Sequence, residues 1–301
     1  MVCADRRRLC ALIVGGAASS LLAACASASS PAPTVATNPL IKPRAGAADL
    51  TAVQATSELA VGRNRFAIGL IDKDNRAISS GTVRIEYFKV DGTVAEKRAE
   101  GDAVFRSVGG QARGVWVGSV DFDSAGPWGA AVTLSEPAES PKAARLALSV
   151  RDHFSAPGYG EPAVRTASLT AAHVAGDLAR VCTHAPPCAL HELSIDQALE
   201  AGGKPLVLVF ATPAFCTSAT CGPQLDAVLQ LHQAYGGRAD FVHVEIYQYP
   251  FDKQQPVQAV VDWKLPSEPW TFIVDRAGIV RDRFEGVAPA AELEPSLTAV
   301  L

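Results

Sequence analysis

Methionine is nearly absent, since Met1 is the only one in 301 residues. A thioether-based cuprous site, which takes several methionine sulfurs, is thereby excluded. Between residues 26 and 152 there is neither cysteine nor histidine, so this stretch has little with which to do nucleophilic, redox or metal chemistry. No basic run follows Arg6-Arg7-Arg8, and the formal net charge is -4. That balance argues against nucleic acid and against anionic headgroups as electrostatic partners. Removing residues 1–24 would take away three arginines and one aspartate, leaving a more acidic chain. The apolar stretch Leu9 to Ala24 falls short of the ~20 residues that span a bilayer as a helix.

What that stretch does offer is a secretory signal: a basic start, an apolar middle, and small residues in Leu22-Ala23-Ala24 before Cys25. The pattern resembles a bacterial lipoprotein signal with its lipobox, covering residues 1–24. The resemblance implies that the Cys25 thiol is acylated and becomes the mature N-terminus, holding the protein to the membrane on the extracytoplasmic face of the cell envelope. Two or more acyl chains anchor stably where one does not. An ordinary cleaved signal followed by a chance cysteine is the plain alternative. Residues 25–48 are rich in Ala, Ser, Pro and Thr without apolar periodicity, the composition of a disordered tether.

From about 50 to 155 the apolar period is two. Phe66, Ile68 and Leu70 alternate, as do Val83, Ile85 and Tyr87, and later Ala130, Val132 and Leu134, with Asp/Asn/Gly/Pro turns between the runs. Half-buried strands punctuated this way predict an antiparallel β-sandwich, immunoglobulin-like in class. Trp116 and Trp128 continue the alternating face and read as core rather than ligand contacts, which makes the sandwich a spacer or a protein-binding module. Residues 156–167 read as a linker.

Beyond the linker, over residues 168–301, the pattern becomes α/β. Ser194 can cap a helix over Ile195 to Ala201 that stops at Gly202-Gly203. Strand Leu206 to Phe210, a helix from about Pro223 to Tyr235 and strand Phe241 to Tyr247 make a parallel β-α-β unit. A short helix near Val257 to Trp263, strands Thr271 to Asp275 and Ile279 to Phe284, and a helix from about Ala290 complete the order.

The chain has seven cysteines; Cys3 and Cys10 fall in the signal, Cys25 carries the lipid, and Cys182, Cys188, Cys216 and Cys221 remain. Four thiols in an oxidising compartment predict disulfides, and proximity favours Cys182 with Cys188 and Cys216 with Cys221 over the two other connectivities. The strand Leu206 to Phe210 delivers Cys216 toward a helix N-terminus, where unpaired N–H groups and the helix dipole favour a thiolate. The spacing is the complication. Five residues of ideal helix put two Cα atoms roughly 8.6 Å apart, beyond the ~7 Å limit for a disulfide. The intervening turn is therefore either looped around a structural disulfide, or it unwinds on oxidation and rewinds on reduction.

This order of elements, with cysteines after the first central strand, resembles the thioredoxin fold over about residues 168–301. Two local matches carry it: Lys204-Pro205-Leu206-Val207-Leu208-Val209-Phe210 leading to Cys216, and Pro269-Trp270-Thr271-Phe272-Ile273-Val274-Asp275 followed by Gly278. The resemblance implies that Pro269 is the cis-proline facing the redox cysteines, with Trp270 in place of the usual threonine. It also implies that Cys216, Cys221 and Pro269 form a catalytic site exchanging disulfides with protein thiols. The spacing departs from the family, being C-x4-C rather than C-x-x-C. It is similar to that of two-cysteine peroxiredoxins of the bacterioferritin-comigratory type, but Thr212 lies four residues before Cys216 instead of three, and Pro269 stands where those enzymes carry an arginine. A second alignment lays Cys221-Gly222-Pro223-Gln224 on the thioredoxin Cys-Gly-Pro-Cys, which leaves open which sulfur attacks.

Cys182-Thr183-His184-Ala185-Pro186-Pro187-Cys188 is a second short loop closed by cysteines. A structural disulfide is the leading reading. The alternatives are a relay disulfide exchanging with Cys216 and Cys221, and a zinc set of Cys182, His184, Cys188 and His191. His243, in the strand pattern Val242-His243-Val244-Glu245, reads as a surface or sheet residue; the Sco copper chaperones use a shorter cysteine spacing and a late histidine that this chain lacks. The expectation is a lipid-anchored thiol-disulfide oxidoreductase without metal or organic cofactor. The competing readings are a non-enzymatic surface lipoprotein stapled by disulfides, and a thiol peroxidase.

Overall fold

The computed structural model describes residues 49–110 and 112–301. The expected signal over 1–24, lipid site at Cys25 and tether over 25–48 lie outside the described residues. Among the described residues no helix is long and apolar enough to cross a membrane.

The alternating segments do become strands: β1 (Leu50–Gln54), β2 (Leu59–Ala60), β3 (Gly62–Asp72), β4 (Thr82–Asp91), β5 (Val94–Ser107), β6 (Gly114–Phe122), β7 (Gly126–Ser135) and β8 (Lys142–Arg151). They follow the order β1-β3-β6-β5-β4-β7-β8-β2, antiparallel except where β2 runs parallel to β8. Strand β5 is long enough to change partners. Its first part, to Ala103, pairs with β4 and its last, Val104–Ser107, with β6, so the strand folds the sheet over one core. That core holds Phe66, Ile68, Tyr87, Phe122, Trp116 and Trp128. Tyr87 meets Phe66 and Phe122 edge-on at 5.6 and 5.8 Å, and each such side chain removed from water contributes roughly 1.5–3 kcal/mol. Both tryptophans are core, and each indole N–H donates to a carbonyl, that of Ile78 or Ser124. Strand β5 has no alternating apolar face because most of it is exposed.

The second sheet contains β9 (Leu206–Ala211), β10 (Asp240–Glu245), β11 (Trp270–Val274) and β12 (Val280–Glu285) in the order β10-β9-β11-β12. β9 and β10 are parallel and joined by α2 (Cys221–Tyr235); β11 is antiparallel to both β9 and β12. With α1 (Ile195–Ala201), α3 (Gln258–Asp262) and α4 (Ala290–Thr298), this is the topology of a thioredoxin-like unit. β9 is apolar on both faces, and β11 nearly so, because both faces are covered. Val207, Val209 and Ile273 face α2 and α4, while Leu208, Phe210 and Phe272 face Trp263 and the α1 and α3 side. α1 starts as its sequence dictates: Ser194 Oγ accepts from the Gln197 amide, and Gln197 Oε1 accepts from the Ser194 amide.

The two sheets touch through charged groups that pattern alone did not single out. Arg65 of β3 pairs with Glu292 of α4 at 2.8 Å and donates to the carbonyls of Glu285 and Val287. The segment expected to be a linker also packs. The Gly160 amide donates to Val280, the Val280 amide to Glu161 and the Ala163 amide to Gly278, so residues 160–163 run along the free edge of β12.

Candidate functional site

Strand β9 is buried throughout and ends at Ala211. The chain then makes the turn Thr212 to Phe215, in which the Thr212 carbonyl accepts from the amides of Phe215 and Cys216. Helix α2 begins at Cys221, so the helix N-terminus belongs to Cys221, and Cys216 lies five residues before it in irregular chain. Residues 217–220 are non-helical with both thiols free, and Ala219 adopts the left-handed φ of 56°. The intervening turn is thus looped with both thiols free, so it neither depends on a disulfide nor rewinds into helix when the thiols are reduced.

The two thiols are in contrasting surroundings. Cys216 is partly exposed, whereas Cys221 is buried. The Cys221 thiol hydrogen-bonds to the Cys216 sulfur, and against the opposing effect of burial, with the Ser218 hydroxyl and the amides of Cys221 and Thr220, it brings Cys216 down to about 4. The same contact, followed by burial, pushes Cys221 up. Backbone N–H groups at the start of α2 are the helix-terminal donors that favour an anion. Ser218 Oγ lies 3.2 Å from Cys216 Sγ and 2.6 Å from Thr220 Oγ1.

The Glu268–Pro269 bond is cis and leads into β11. Burial, then the Cys216 charge, raises the Glu268 carboxyl, which places this acid in the field of the thiolate. Tyr247 is raised first by its partial burial and then by the Glu268 charge. Neither residue stood out in the sequence, because their nearness to Cys216 depends on the register of β10 and β11 against β9. Gln224 is fully buried; its amide donates to Thr271 Oγ1 at 2.8 Å and accepts from the Ala288 amide at 2.7 Å. It braces α2 to β11 and to the approach to α4, a structural use of the position aligned with a second thiol.

Cys182 and Cys188 lie on the loop beside β10, both buried and unbonded, with sulfurs 3.7 Å apart. His184 does not join them. Its Nε2 is 3.1 Å from Asp226 of α2 and its Nδ1 2.6 Å from the Pro186 carbonyl, so the zinc set containing His184 is not assembled. His243 takes that place: it is a sheet residue, but buried, with its ring 4.8 Å from that of His191. Its side chain points to the loop because Phe241, His243 and Glu245 share one face of β10, which the sequence pattern allows but does not orient. Burial lowers His191, and its Nδ1 has no partner among the described residues. Thr183 ties the loop to both neighbours, donating to Glu245 at 2.6 Å and accepting from the Ala214 amide, two residues before Cys216.

The chain matches no known family and no curated protein. Among solved structures it is similar to a Chlorobium tepidum protein assigned as the thiol:disulfide interchange protein DsbE, at 17% identity over 48% of this chain and 98% of that one, with a TM-score of 0.33. It is also similar to a thioredoxin-family thiol:disulfide interchange protein of Chlorobium tepidum TLS (15% identity, 48% of this chain, 99% of that one, TM-score 0.31). A thio-disulfide isomerase of Thermus thermophilus matches at 18% identity over 48% of this chain and 96% of its own, with a TM-score of 0.29.

Proposed function

We propose that this protein is a lipid-anchored, extracytoplasmic thiol-disulfide oxidoreductase acting on protein thiols, with Cys216 as nucleophile and Cys221 as resolving thiol. The observation that carries the reading is the pairing of an accessible sulfur held as thiolate with a buried, protonated one at the start of α2. An accessible thiolate is what attack on a disulfide needs, and a protonated neighbour does not compete with it. Pro269 supplies the edge along which a partner chain would lie. The N-terminal part is an immunoglobulin-like spacer over residues 50–155, a class supported by its strand order and by the parallel β2–β8 pair. Residues 156–167 then join it to a thioredoxin-like domain over 168–301. The signal and tether at 1–24 and 25–48, with acylation at Cys25, put the whole in the envelope.

The exchange balances in two steps. Cys216 thiolate attacks one sulfur of a partner disulfide, forming a mixed disulfide and expelling the partner's other sulfur as thiolate. Cys221 then loses its proton, to water or to Glu268, and attacks Cys216 Sγ; the Cys216–Cys221 disulfide forms and the partner leaves with both sulfurs reduced. The protein gives up two electrons and the partner gains them; the reverse sequence oxidises a partner dithiol.

Trapping tests this. In cells expressing Cys221→Ser, Cys216 accumulates mixed disulfides with envelope proteins, while Cys216→Ser accumulates far fewer. If neither variant traps a partner and the wild-type pair stays fully oxidised at about -250 mV, the pair is a staple and the domain a binding module.

A further inference from the structure

Cys182, Cys188, His191 and His243 each turn one ligand atom into a shared buried space, all four atoms within 4.8 Å of one another. Four of the six pairs lie close to a tetrahedron's edges, and no pair exceeds 4.8 Å. Ligands at ~2.3 Å for sulfur and ~2.05 Å for nitrogen around one zinc ion stand roughly 3.8 Å apart for S to S, 3.3 Å for N to N and 3.5 Å for S to N. Here Cys182 Sγ and Cys188 Sγ are 3.7 Å apart, and His191 Nε2 and His243 Nδ1 are 3.1 Å apart. His243 Nδ1 lies 3.7 and 3.3 Å from the two sulfurs.

Second partners of His243 and Cys182 fit the same reading, while His191 Nδ1 has none among the described residues. His243 Nε2 donates to the Ala211 carbonyl at 3.1 Å, which fixes the tautomer and leaves Nδ1 with its lone pair toward the sulfurs. The Cys188 amide points at Cys182 Sγ at 3.3 Å, a backbone donor to a sulfur bearing charge. A disulfide between Cys182 and Cys188 would use two of these atoms and leave two buried imidazole nitrogens facing spent sulfurs. A cation uses all four.

We propose that Cys182, Cys188, His191 and His243 bind one structural Zn2+ ion, distinct from the Cys216–Cys221 pair. The ion takes both sulfurs as thiolates, displacing any thiol proton, so two thiolates with neutral imidazoles offset its charge, and occupancy falls in acid. Four protein ligands close the coordination shell, which makes the ion a staple rather than a catalyst. Its place in the fold gives it a purpose. β10 is an edge strand, and the loop carrying both cysteines lies against it, with the His243 amide donating to the Leu190 carbonyl at 2.8 Å. The ion clamps that loop over the sheet edge and, through Thr183 and Ala214, steadies the turn leading to Cys216.

The full chain, purified from membranes in detergent without chelator, is assayed for metal by elemental mass spectrometry, then stripped, reduced and titrated with Zn2+ and Co2+. One Zn2+ per chain is expected, with the visible bands of tetrahedral, thiolate-bound Co2+ in the substituted wild type. The double variant Cys216→Ser/Cys221→Ser keeps the metal, whereas His243→Gln and Cys188→Ser weaken it by more than the ~10–100-fold that loss of an outer partner costs. The Co2+ spectrum is read on the wild type, so a variant that fails to fold leaves the test intact. The proposal is overturned if reduced wild type takes up neither ion, if Cys182 and Cys188 are recovered as a disulfide in metal-free native protein, if the Cys216/Cys221 variant loses the ion, or if His243→Gln binds as tightly as wild type.

Discussion

Arg283 of β12 and Glu58, 225 positions earlier in the chain, form an ion pair of 2.7 Å with both side chains buried. The guanidinium also donates to the carbonyls of Ala156 and Pro157 and lies between the rings of Phe154 and Trp270, at 4.0 and 4.7 Å from their centroids. Glu58 in turn accepts from the amide and hydroxyl of Ser155. One cluster thus joins the first sheet, the segment after β8, and the strand that follows cis-Pro269.

Breaking that pair strands a buried charge. Glu58→Ala should cost about 3–5 kcal/mol, read as a lowered urea midpoint with the two sheets still unfolding together. A loss below about 1 kcal/mol would show that the pair is solvated in solution.

The same carboxyl sets an acid limit on stability. Burial acts to raise Glu58, but the hydrogen bonds from Ser155 and Arg283 and the Arg283 charge overcome it and hold the group below its ordinary 4.5. A depressed carboxylate stabilises fully above its unfolded value, and that contribution fades as pH falls through the lower folded value. Urea midpoints measured from pH 7 downward should therefore drop below about pH 4.5, and Glu58→Gln should flatten this part of the profile. An unchanged profile in the variant assigns the acid sensitivity to other groups.

Cys216 should react as a thiolate across the neutral range. With its thiol held at about 4, its alkylation rate by iodoacetamide is expected to be flat from about pH 6 to 8 and to fall with an inflection near 4. Cys221→Ala removes the largest contribution and should move the inflection up toward the ordinary thiol range; Ser218→Ala should move it up less. Peptide-level mass spectrometry follows the rate, and an inflection near 8.5 in the wild type would contradict the arrangement of donors.

Acylation is tested by metabolic labelling with a palmitate analogue. The wild type should take the label and Cys25→Ser should lose it, because Leu22-Ala23-Ala24-Cys25 is the acylation signal visible in the sequence. Equal labelling of the variant would sink the anchor.

Much of the second sheet was written locally. Ser194 and Gln197 specify the start of α1, and the run Leu206 to Phe210 specifies a strand buried on both faces, because caps and apolar period act over a few residues. The alternation of Phe66, Ile68 and Leu70 likewise specifies β3 and its inward face. Strand β5 was not legible, since its exposed residues follow no apolar period and its pairing comes from β4 and β6. The cysteine pair could be read as chemistry but not as geometry. Spacing on an ideal helix separates the two sulfurs, and only the turn with Ala219 in the left-handed region brings Cys216 to the start of α2. The local pattern grouped His184 with Cys182, Cys188 and His191; tertiary structure sends His184 to Asp226 and brings His243 in from β10. Sequence determined which residues could carry the chemistry, through local propensity and side-chain type. Tertiary structure decided which of them meet, because a contact such as Glu58 with Arg283, or Cys188 with His243, is set by strand register and loop path across long separations.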